Sequence, residues 1–217
     1  MRRSGRPIWS RCRGSSHCPT SSSYHPGIPA RTVQELVALD KSKPGALLYG
    51  SSGNGTSAHL SAELFNMMTG TKLVHVPYKS SPQAITDLLA GRVALMFAPA
   101  STVLTHIKAG SLRALESTGR ERAAAAPDLP TVIEAGLPGF ETNVWFGLFG
   151  PAGLPNEIVE RLSTAMNQAL ASNELKVQFA GQAMDPLILS RVEFARYVRH
   201  ETEKWARVVK KTGMKAD

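Results

Sequence analysis

Short apolar runs alternate with amphipathic segments along the chain from residue 31 to residue 118. Apolar runs bounded by glycine or proline predict strands, and segments with apolar positions every three or four residues predict helices. The predicted strands are 46–49, 73–76, 93–97 and 112–117, and the predicted helices are 32–42, 57–70, 81–89 and 101–109. Strands that alternate with helices favour an α/β fold with a parallel sheet covered by helices on both faces.

The last third of the chain is predicted to be almost entirely helical. Thr131 and Glu134 have the spacing of a capping box and predict a short helix, and residues 140–149 are typical of an extended segment. Further helices are predicted at 156–170, at 174–181 and from 191 to 212. No strand is predicted after residue 150, so these helices either pack on the first sheet or belong to a sheet encoded upstream. We expect apolar faces on 156–170 and 191–212 to be exposed.

Net charge separates a basic amino-terminal segment from a nearly neutral remainder. The 217 residues carry 25 Lys and Arg against 17 Asp and Glu, a net charge of +8. Residues 1–24 hold five of the arginines and no acid, so residues 25–217 carry a net charge of only +3. A folded part this close to neutral gives no electrostatic reason to expect nucleic-acid binding. No apolar run reaches the ~20 residues needed to span a bilayer.

Residues 1–24 are predicted to be an irregular basic tail. The segment begins with basic residues like an export signal, but the apolar stretch of ~7–15 residues that a signal needs does not follow. Its two cysteines, Cys12 and Cys18, lie near His17. These residues are too few for the two close ligand pairs of a zinc site, so no metal is predicted.

A shifted reading frame would turn the polar run Thr20–Tyr24 into an apolar strand. If its three serines use TCN codons, reading one base earlier yields three NTC codons and one NTA codon. These codons encode only Phe, Leu, Ile and Val, and four such residues in a row are typical of a buried strand. We therefore hypothesise a frameshift upstream of His25 and a natural chain that starts well before Met1.

The segment Gly50–Ser57, with the sequence GSSGNGTS, joins a predicted strand to the amino terminus of a predicted helix. Unpaired backbone N–H groups and the positive end of the helix dipole favour an anion at such a position. The glycines let the backbone approach a ligand, and the serine and threonine hydroxyls add hydrogen-bond donors. We favour a carboxylate-binding loop, with a glycine turn that binds no ligand as the alternative.

Two nucleotide-binding motifs are only partly matched in this loop. Gly50 and Gly55 have the spacing of a P-loop, but the lysine that follows the second glycine in that motif is absent. Gly53, Gly55 and Ala58 match the G-x-G-x-x-[GA] fingerprint of dinucleotide sites. That fingerprint also needs an acidic residue about 20 positions later, where residues 73–79 contain none. A nucleotide site is therefore disfavoured, and no cofactor is predicted.

An enzyme that uses Ser52 with His59 as its base is the rival to a binding loop. His59 lies in the first turn of the predicted helix, although the segment lacks the G-x-S-x-G spacing of a nucleophile elbow. His75 is predicted to be a strand residue, His106 a surface residue, and Asp87 a residue that faces solvent. Neither paired carboxylates nor a histidine cluster has the spacing of acid–base chemistry or of metal ligands.

Five motifs resemble those of one family of substrate-binding proteins. They are GSSGNGTSAHL at 50–60, VHVPYK at 74–79, IKAG with LRAL at 107–115, PTV with EAG at 130–136, and WFGLF at 145–149. In order and content the motifs resemble the substrate-binding proteins of tripartite tricarboxylate transporters, also known as Bug (Bordetella uptake gene) proteins. The resemblance runs from about His25 to the carboxyl terminus.

This resemblance implies a periplasmic binding protein of the type II fold, whose two α/β lobes close over a small carboxylate. The ligand would be a di- or tricarboxylate, an amino acid or an aromatic acid. A monomeric receptor that is not an enzyme would deliver it to membrane permease subunits. The chain as given lacks an export signal and would stay in the cytoplasm. A truncated gene product without function is a further alternative.

The resemblance also divides the chain and assigns its site. Residues 25–147 would form the complete second lobe. Residues 148–217 would be helices of a first lobe that is otherwise absent, together with its Tyr-Pro-Pro-Gly-Gly loop. His25–Pro26 and Trp145–Gly150 would cross between the lobes. Half of the carboxylate clamp and the side-chain pocket would be formed by Ser51, Ser52, Gly53, Asn54, Gly55, Thr56, Tyr78, Lys79, Ala98 and Pro99.

Overall fold

The structure of the chain is a computed structural model, and it describes residues 15–123, 125–151 and 153–214. The strands are β1 (Ser15–Tyr24), β2 (Leu48–Ser51), β3 (Val74–Pro77), β4 (Leu95–Pro99), β5 (Arg113–Ser117), β6 (Asn143–Gly147) and β7 (Asp185–Leu187). The helices are α1 (Val33–Ser42), α2 (Ser57–Thr69), α3 (Ser81–Leu89), α4 (Ala100–Lys108), α5 (Asn156–Ala171), α6 (Asn173–Gly181) and α7 (Arg191–Thr212). Every strand and helix predicted between residues 31 and 118 is confirmed, with bounds within about two residues.

β2, β3 and β4 form the parallel part of a mixed sheet, and β1 runs against them. The strands pair in the order β3-β2-β4-β1-β5, with β2 parallel to β3 and β4. β1 is antiparallel to both of its neighbours in this order, β4 and β5. The prediction of a parallel sheet is therefore wrong at the centre, because a strand that enters from the opposite direction separates β4 from β5. The α/β class itself is confirmed.

β1 is a ten-residue strand that pairs with two sets of strands. Residues 15–19 lie antiparallel to β6 and β7, and the strand from Thr20 onward lies between β4 and β5. The predicted irregular tail is thus wrong for residues 15–24, whereas residues 1–14 lie outside the described residues. The strand changes partners between Pro19 and Thr20, and the crossover between lobes predicted at His25–Pro26 stays a prediction.

Apolar side chains are buried on both faces of the sheet, as predicted. Along β4 the buried residues alternate, since Leu95 and Phe97 join one apolar cluster and Met96 and Ala98 join the other. α1 and most of α2 cover the first cluster, and α3 and α4 cover the second. A strand that is buried on both faces has a continuous apolar sequence, which is why the sequence of β4 predicts a strand so clearly.

The short helix predicted at Thr131 is absent among the described residues, although its capping box forms. The Glu134 amide donates to the Thr131 hydroxyl at 3.0 Å, and the Thr131 amide donates to the Glu134 carboxylate at 2.7 Å. Turns follow instead of a helix. Gly136 has a φ of +90°, outside the helical region, and Pro138 comes two residues later, so a helix cannot propagate beyond the cap.

The apolar stripe of α7 is largely covered, contrary to the exposed face predicted for 191–212. Phe194 is buried and packs edge-on against Trp145 of β6, with ring centroids 6.1 Å apart. Toward the other end of the helix, Val208 is buried in the cluster that α2 covers. The 22 residues of α7 correspond to a length of ~33 Å, so one helix reaches from β6 to α2.

The prediction of an exposed apolar face is confirmed in part on α5. Ile158 is 44% exposed and Leu162 is 41% exposed, whereas Val159 and Leu170 are buried. The prediction of no strand after residue 150 is wrong, because the three residues of β7 pair with β1. In the described part of the chain, no helix is both long enough and apolar enough to cross a membrane.

Candidate functional site

Three helices begin at one edge of the sheet, where the parallel strands end. β2, β3 and β4 run in the same direction, and each is followed by a helix, namely α2, α3 and α4. The carboxyl ends of parallel strands meet at one edge, so the amino termini of these helices lie there together. Each terminus carries backbone N–H groups without an intrahelical acceptor and the positive end of a dipole. This edge is therefore suited to a negatively charged ligand.

The loop between β2 and α2 is folded by short-range hydrogen bonds. The Ser51 hydroxyl accepts from the Gly53 amide at 3.1 Å and donates to the Gly53 carbonyl at 3.0 Å. The Thr56 hydroxyl donates to the same carbonyl at 2.8 Å. Gly53 has a φ of +129° and Gly55 a φ of +73°, conformations that favour glycine. The glycines of the motif are therefore explained by the shape of the turn.

Several backbone amides of this loop already have acceptors within it. The Gly53 amide donates to Ser51, the Gly55 amide donates to Nδ1 of His59 at 3.1 Å, and the Thr56 amide donates to the Gly53 carbonyl at 3.4 Å. The sequence predicts that the loop residues as a set bind the ligand. The structure instead divides them, because these amides stabilise the turn and do not point a free N–H group toward solvent.

The first turn of α2 offers donors that the loop does not use. Thr56, which precedes the helix, makes no capping hydrogen bond through its side chain within the described residues. The backbone N–H groups that begin at Ser57 are first-turn donors, which have no acceptor inside a helix. Ser52, Asn54 and Ser57 are half-exposed around this turn. An anion at this position would meet backbone N–H groups together with the polar side chains of the loop.

Ser51 supports the loop from inside and does not face the surface. Its side chain is fully buried, and its hydroxyl oxygen lies 2.6 Å from Nε2 of His75 on β3. The Ser51 hydroxyl therefore supports the loop in this structure, and the role of Ser51 in the ligand clamp stays a prediction. β2 and β3 are neighbours in the sheet, which brings His75 under the loop.

A stack of three rings lies beneath the loop, and the sequence did not reveal it. The His75 ring stacks on Tyr49, at a centroid distance of 4.9 Å, and on His59, at 3.7 Å, and the Tyr49 and His59 rings are 6.3 Å apart. The Tyr49 hydroxyl donates to the Glu63 carboxylate at 2.8 Å. Burial, together with the smaller effect of the neighbouring His59, lowers the pKa of His75 to about 4. Burial also lowers the pKa of His59, against the opposing effect of Glu63.

The rival enzyme arrangement does not form. Nδ1 of His59 accepts from the Gly55 amide, so it faces the backbone and not the Ser52 hydroxyl. The histidine that contacts a serine is His75, and its partner Ser51 is fully buried. A nucleophile must be reachable by its substrate, which this serine is not. Nδ1 of His59 is therefore not available as a base for Ser52, and the contacts of the described residues give the enzyme alternative no support.

Tyr78 lies beside the loop and is held from two directions. Its amide donates to the Ser51 carbonyl at 3.0 Å, and its hydroxyl donates to the Asp87 carboxylate at 2.8 Å. Burial and the Asp87 hydrogen bond raise the pKa of Tyr78 to about 12, and the Tyr78 hydrogen bond lowers the pKa of Asp87. Asp87 also pairs with Arg92 at 2.6 Å, so it is bound on α3 and does not simply face solvent. The neighbouring Lys79 is exposed.

Of the two pocket residues predicted after β4, only one reaches the surface. Ala98 is fully buried in the apolar cluster that α3 and α4 cover. Its side chain therefore packs in the core beside the sheet, and the predicted role of Ala98 in the ligand pocket stays a prediction. Pro99 is half-exposed and directly precedes α4 at the carboxyl edge of the sheet.

The described residues contain no group of three histidine, cysteine or acidic side chains that could hold a metal ion. Of the candidate ligands in the amino-terminal segment, Cys12 lies outside the described residues, as do the side chains of His17 and Cys18. The prediction about these three residues therefore stays a prediction.

Comparison with known proteins identifies the family. Residues 16–214 match the family described as "Tripartite tricarboxylate transporter family receptor". The chain belongs to this family. Among curated relatives, the protein BugT of Bordetella pertussis is 35% identical over 191 residues, which are 88% of this chain and 59% of BugT. The chain therefore spans about three fifths of the length of this relative.

Solved structures of the same family share the fold. A protein of R. palustris (Rpa4515), solved with adipate, has a TM-score of 0.84 and 33% sequence identity, over 95% of this chain and 69% of the other. MatC from Rhodopseudomonas palustris, solved with bound malate, has a TM-score of 0.78 and 26% identity, over 95% and 72%. The receptor fold that the sequence motifs predicted is confirmed.

Proposed function

We propose that this chain is the part of an extracytoplasmic solute-binding protein that carries one half of a binding site for a small carboxylate. The observation that carries the proposal is the convergence of three helix amino termini and the Gly50–Ser57 loop at one sheet edge. Relatives of this family with adipate and with malate support a carboxylate ligand. The class of receptor also supports a role in binding and not in catalysis.

The proposed carboxylate site centres on the first turn of α2. One carboxylate of the ligand accepts from the first-turn N–H groups that begin at Ser57 and from the Ser52 hydroxyl. Ser52 and Ser57 are both half-exposed. Tyr78 and Lys79 line the neighbouring surface, where the exposed ammonium group of Lys79 attracts a second negative charge. The internally bonded residues Ser51, Gly53 and Gly55 keep the turn in shape.

In the whole receptor, this edge faces the first lobe, which completes the clamp. Residues 25–147 form the ligand-binding lobe, and residues 148–217 belong with the other lobe. The assembled receptor is a monomer in the periplasm and delivers its ligand to the membrane permease of a tripartite transporter. The partial coverage of relatives, 59% of BugT for example, is consistent with a site shared between this chain and further sequence.

Adipate and malate are expected to bind this chain weakly and at the proposed edge. A receptor of micromolar affinity has a binding free energy of about −8 kcal/mol, so half of its contacts give about −4 kcal/mol, or millimolar affinity. NMR titration of the isotope-labelled 217-residue chain with each acid at up to about 20 mM measures this. We expect the largest amide shifts at Ser52, Asn54 and Ser57. Shifts that are absent, or confined to another face, contradict the proposal.

Gly53→Ala tests whether the shape of the loop carries the binding. The φ of +129° at Gly53 strains any other residue, and we expect the dissociation constant for adipate to rise at least about tenfold. Gly110→Ala is the matched control, because Gly110 also has a positive φ, +72°, but lies at the end of α4. An unchanged affinity in Gly53→Ala, or an equal loss in the control, contradicts a site at this loop.

A further inference from the structure

We propose that His59 and His75, as a stacked pair of neutral rings, are positioning residues that hold the Gly50–Ser57 loop in its binding shape. The inference about ligand affinity rests on the proposed function, whereas the inference about the shape of the loop does not. The two histidines come from different elements, α2 and β3.

Each histidine ties down one end of the loop. His75 lies 2.6 Å from the hydroxyl of Ser51, the residue that ends β2. His59 accepts from the amide of Gly55, just before α2 begins. The rings themselves lie 3.7 Å apart and are inclined by only 17°. The stack therefore connects the two ends of the loop across its base, below the surface where a ligand would bind.

The hydrogen bonds assign one proton to each ring. Nδ1 of His59 accepts from the Gly55 amide, so it carries no proton and the ring's proton is on Nε2. The Ser51 hydroxyl gives its single proton to the Gly53 carbonyl, so it can accept one from Nε2 of His75. Two neutral rings, each with its proton on Nε2, satisfy both of these contacts.

A proton added to the stack would disrupt it. A proton on Nδ1 of His59 would make this nitrogen a donor that faces the Gly55 N–H donor, so their hydrogen bond would be lost. It would also put a positive charge beside the His75 ring. The groups that face the pair are the Tyr49 ring, which covers His75, and the Glu63 carboxylate, which acts on His59 and holds the Tyr49 hydroxyl. Glu63 alone favours the charged form, and burial opposes it.

The sign of the pH effect follows from lowered pKa values. A histidine whose pKa is lowered by folding supports the folded loop fully above its ordinary value of 6.5, and this support is lost as the pH falls through its folded value. For His75 that folded value is about 4. We therefore expect a firmly held loop at neutral pH and a loosened loop in acid.

Non-titrating mimics separate a positioning role from simple packing. His59→Asn keeps an acceptor oxygen near the place of Nδ1, and His75→Gln keeps a donor near the place of Nε2. His59→Leu and His75→Leu keep bulk but remove the hydrogen bonds. His106→Gln, on α4 and away from the loop, is the matched control for the loss of a histidine.

The first measurement needs no ligand. Amide hydrogen exchange at Gly53 and Gly55, corrected for the intrinsic rate, is followed from pH 7.5 to pH 4 by NMR. In the unchanged protein we expect exchange to speed up roughly tenfold or more in acid as the hydrogen bond at Gly55 is lost. The Asn and Gln mimics together should abolish this acid effect, and His59→Leu should show fast exchange at every pH. Exchange that is independent of pH, or unaffected in His59→Leu, overturns the proposal.

The second measurement uses adipate as the probe. At pH 7.5 we expect His59→Leu to raise the dissociation constant roughly fivefold to tenfold, the loss of about one hydrogen bond, and His59→Asn to restore most of it. If the loop loosens in acid but adipate does not bind the unchanged protein, the proposed function fails and the role of the histidines stands. If adipate binds to His59→Leu as tightly as to the unchanged protein, both at pH 7.5 and at pH 4, the positioning role fails and the proposed function stands.

Discussion

Replacing Glu116 with glutamine is expected to raise the free energy of unfolding at pH 8 by about 2–3 kcal/mol, with little effect near pH 4. Glu116 lies in β5 and is only 2% exposed. Its carboxylate accepts a hydrogen bond from the Ser22 hydroxyl at 2.8 Å. Burial nevertheless raises the pKa of this carboxyl from 4.5 to about 7. The hydrogen bonds from Ser22 and from the Val33 backbone do not replace the hydration that the charged form loses.

The direction in which the free energy of unfolding changes with pH follows from this raised pKa. The unfolded chain loses the Glu116 proton near pH 4.5, whereas the folded chain keeps it until about pH 7. The contribution of the Glu116 carboxyl to the free energy of unfolding is therefore fully present below pH 4.5 and is lost as the pH rises through 7. A difference of about 2.5 pKa units corresponds to ~3 kcal/mol. Glutamine has nearly the same shape and no charge to bury, so it removes this loss.

Urea unfolding at pH 4 and at pH 8 measures the effect. The matched control is Glu121→Gln, because Glu121 is an exposed acid a few residues farther along the chain. We expect the control to change stability by less than about 0.5 kcal/mol at either pH. A Glu116→Gln variant whose stability matches the unchanged protein at pH 8 would contradict the buried charge.

Replacing Thr20, Ser21 and Ser23 with Val, Val and Ala is expected to stabilise the protein by about 3 kcal/mol. These β1 residues are buried at the centre of the sheet. The Thr20 hydroxyl is buried without a hydrogen-bond partner among the described residues. Ser21 and Ser23 share a hydrogen bond of 3.1 Å, so both partners are removed together.

The space beside β1 supports the same expectation. A pocket of about 260 Å³ is lined by Thr20 and Ser21, by Leu104 and Ile107 of α4, and by small residues such as Ala183. Ser21 pairs with Ala98, whose side chain lies on the face that α4 covers, so the methyl groups added at Ser21 would enter this pocket, at ~0.8 kcal/mol for each buried group. Removing an unpaired buried hydroxyl contributes ~1–3 kcal/mol more.

Ser22→Val is the matched control, since it removes from the same strand a hydroxyl that does have a hydrogen-bond partner on the neighbouring strand. The Ser22 hydroxyl is the donor to Glu116, so its loss should lower stability by about 1–3 kcal/mol at pH 8. Urea unfolding of both variants measures the difference. A triple variant that is less stable than the unchanged protein would show that the polar side chains of β1 suit their place.

The frameshift hypothesis concerns the same residues of β1. Thr20 to Tyr24 lie where a central strand normally carries apolar side chains, and the alternative frame would supply four of them. Sequencing the DNA upstream of His25 tests this. We expect an open frame that continues upstream and encodes apolar residues at these positions. An intact frame that agrees with the present residues far upstream would contradict the hypothesis.

Local patterns were sufficient where secondary structure and chemistry depend on neighbouring residues. The continuous apolar run of β4 and the glycine spacing of the Gly50–Ser57 loop could be recognised because each constrains its own backbone. The family motifs extended this to the receptor fold. The prediction of an irregular tail failed for residues 15–24 because a polar sequence does not indicate a buried strand. This strand is stabilised by the strands that pair with it on both sides.

The sequence by itself determined the order of strands and helices from 31 to 118, the glycine-rich loop between β2 and α2, and the receptor family. Only the tertiary structure decided the direction of β1, the burial of Ser51 and Ala98, and the pairing of His59 with His75. The physical reason is distance along the chain. Strand direction and the contacts beneath a loop depend on which elements become neighbours in the sheet, and no local periodicity records that choice.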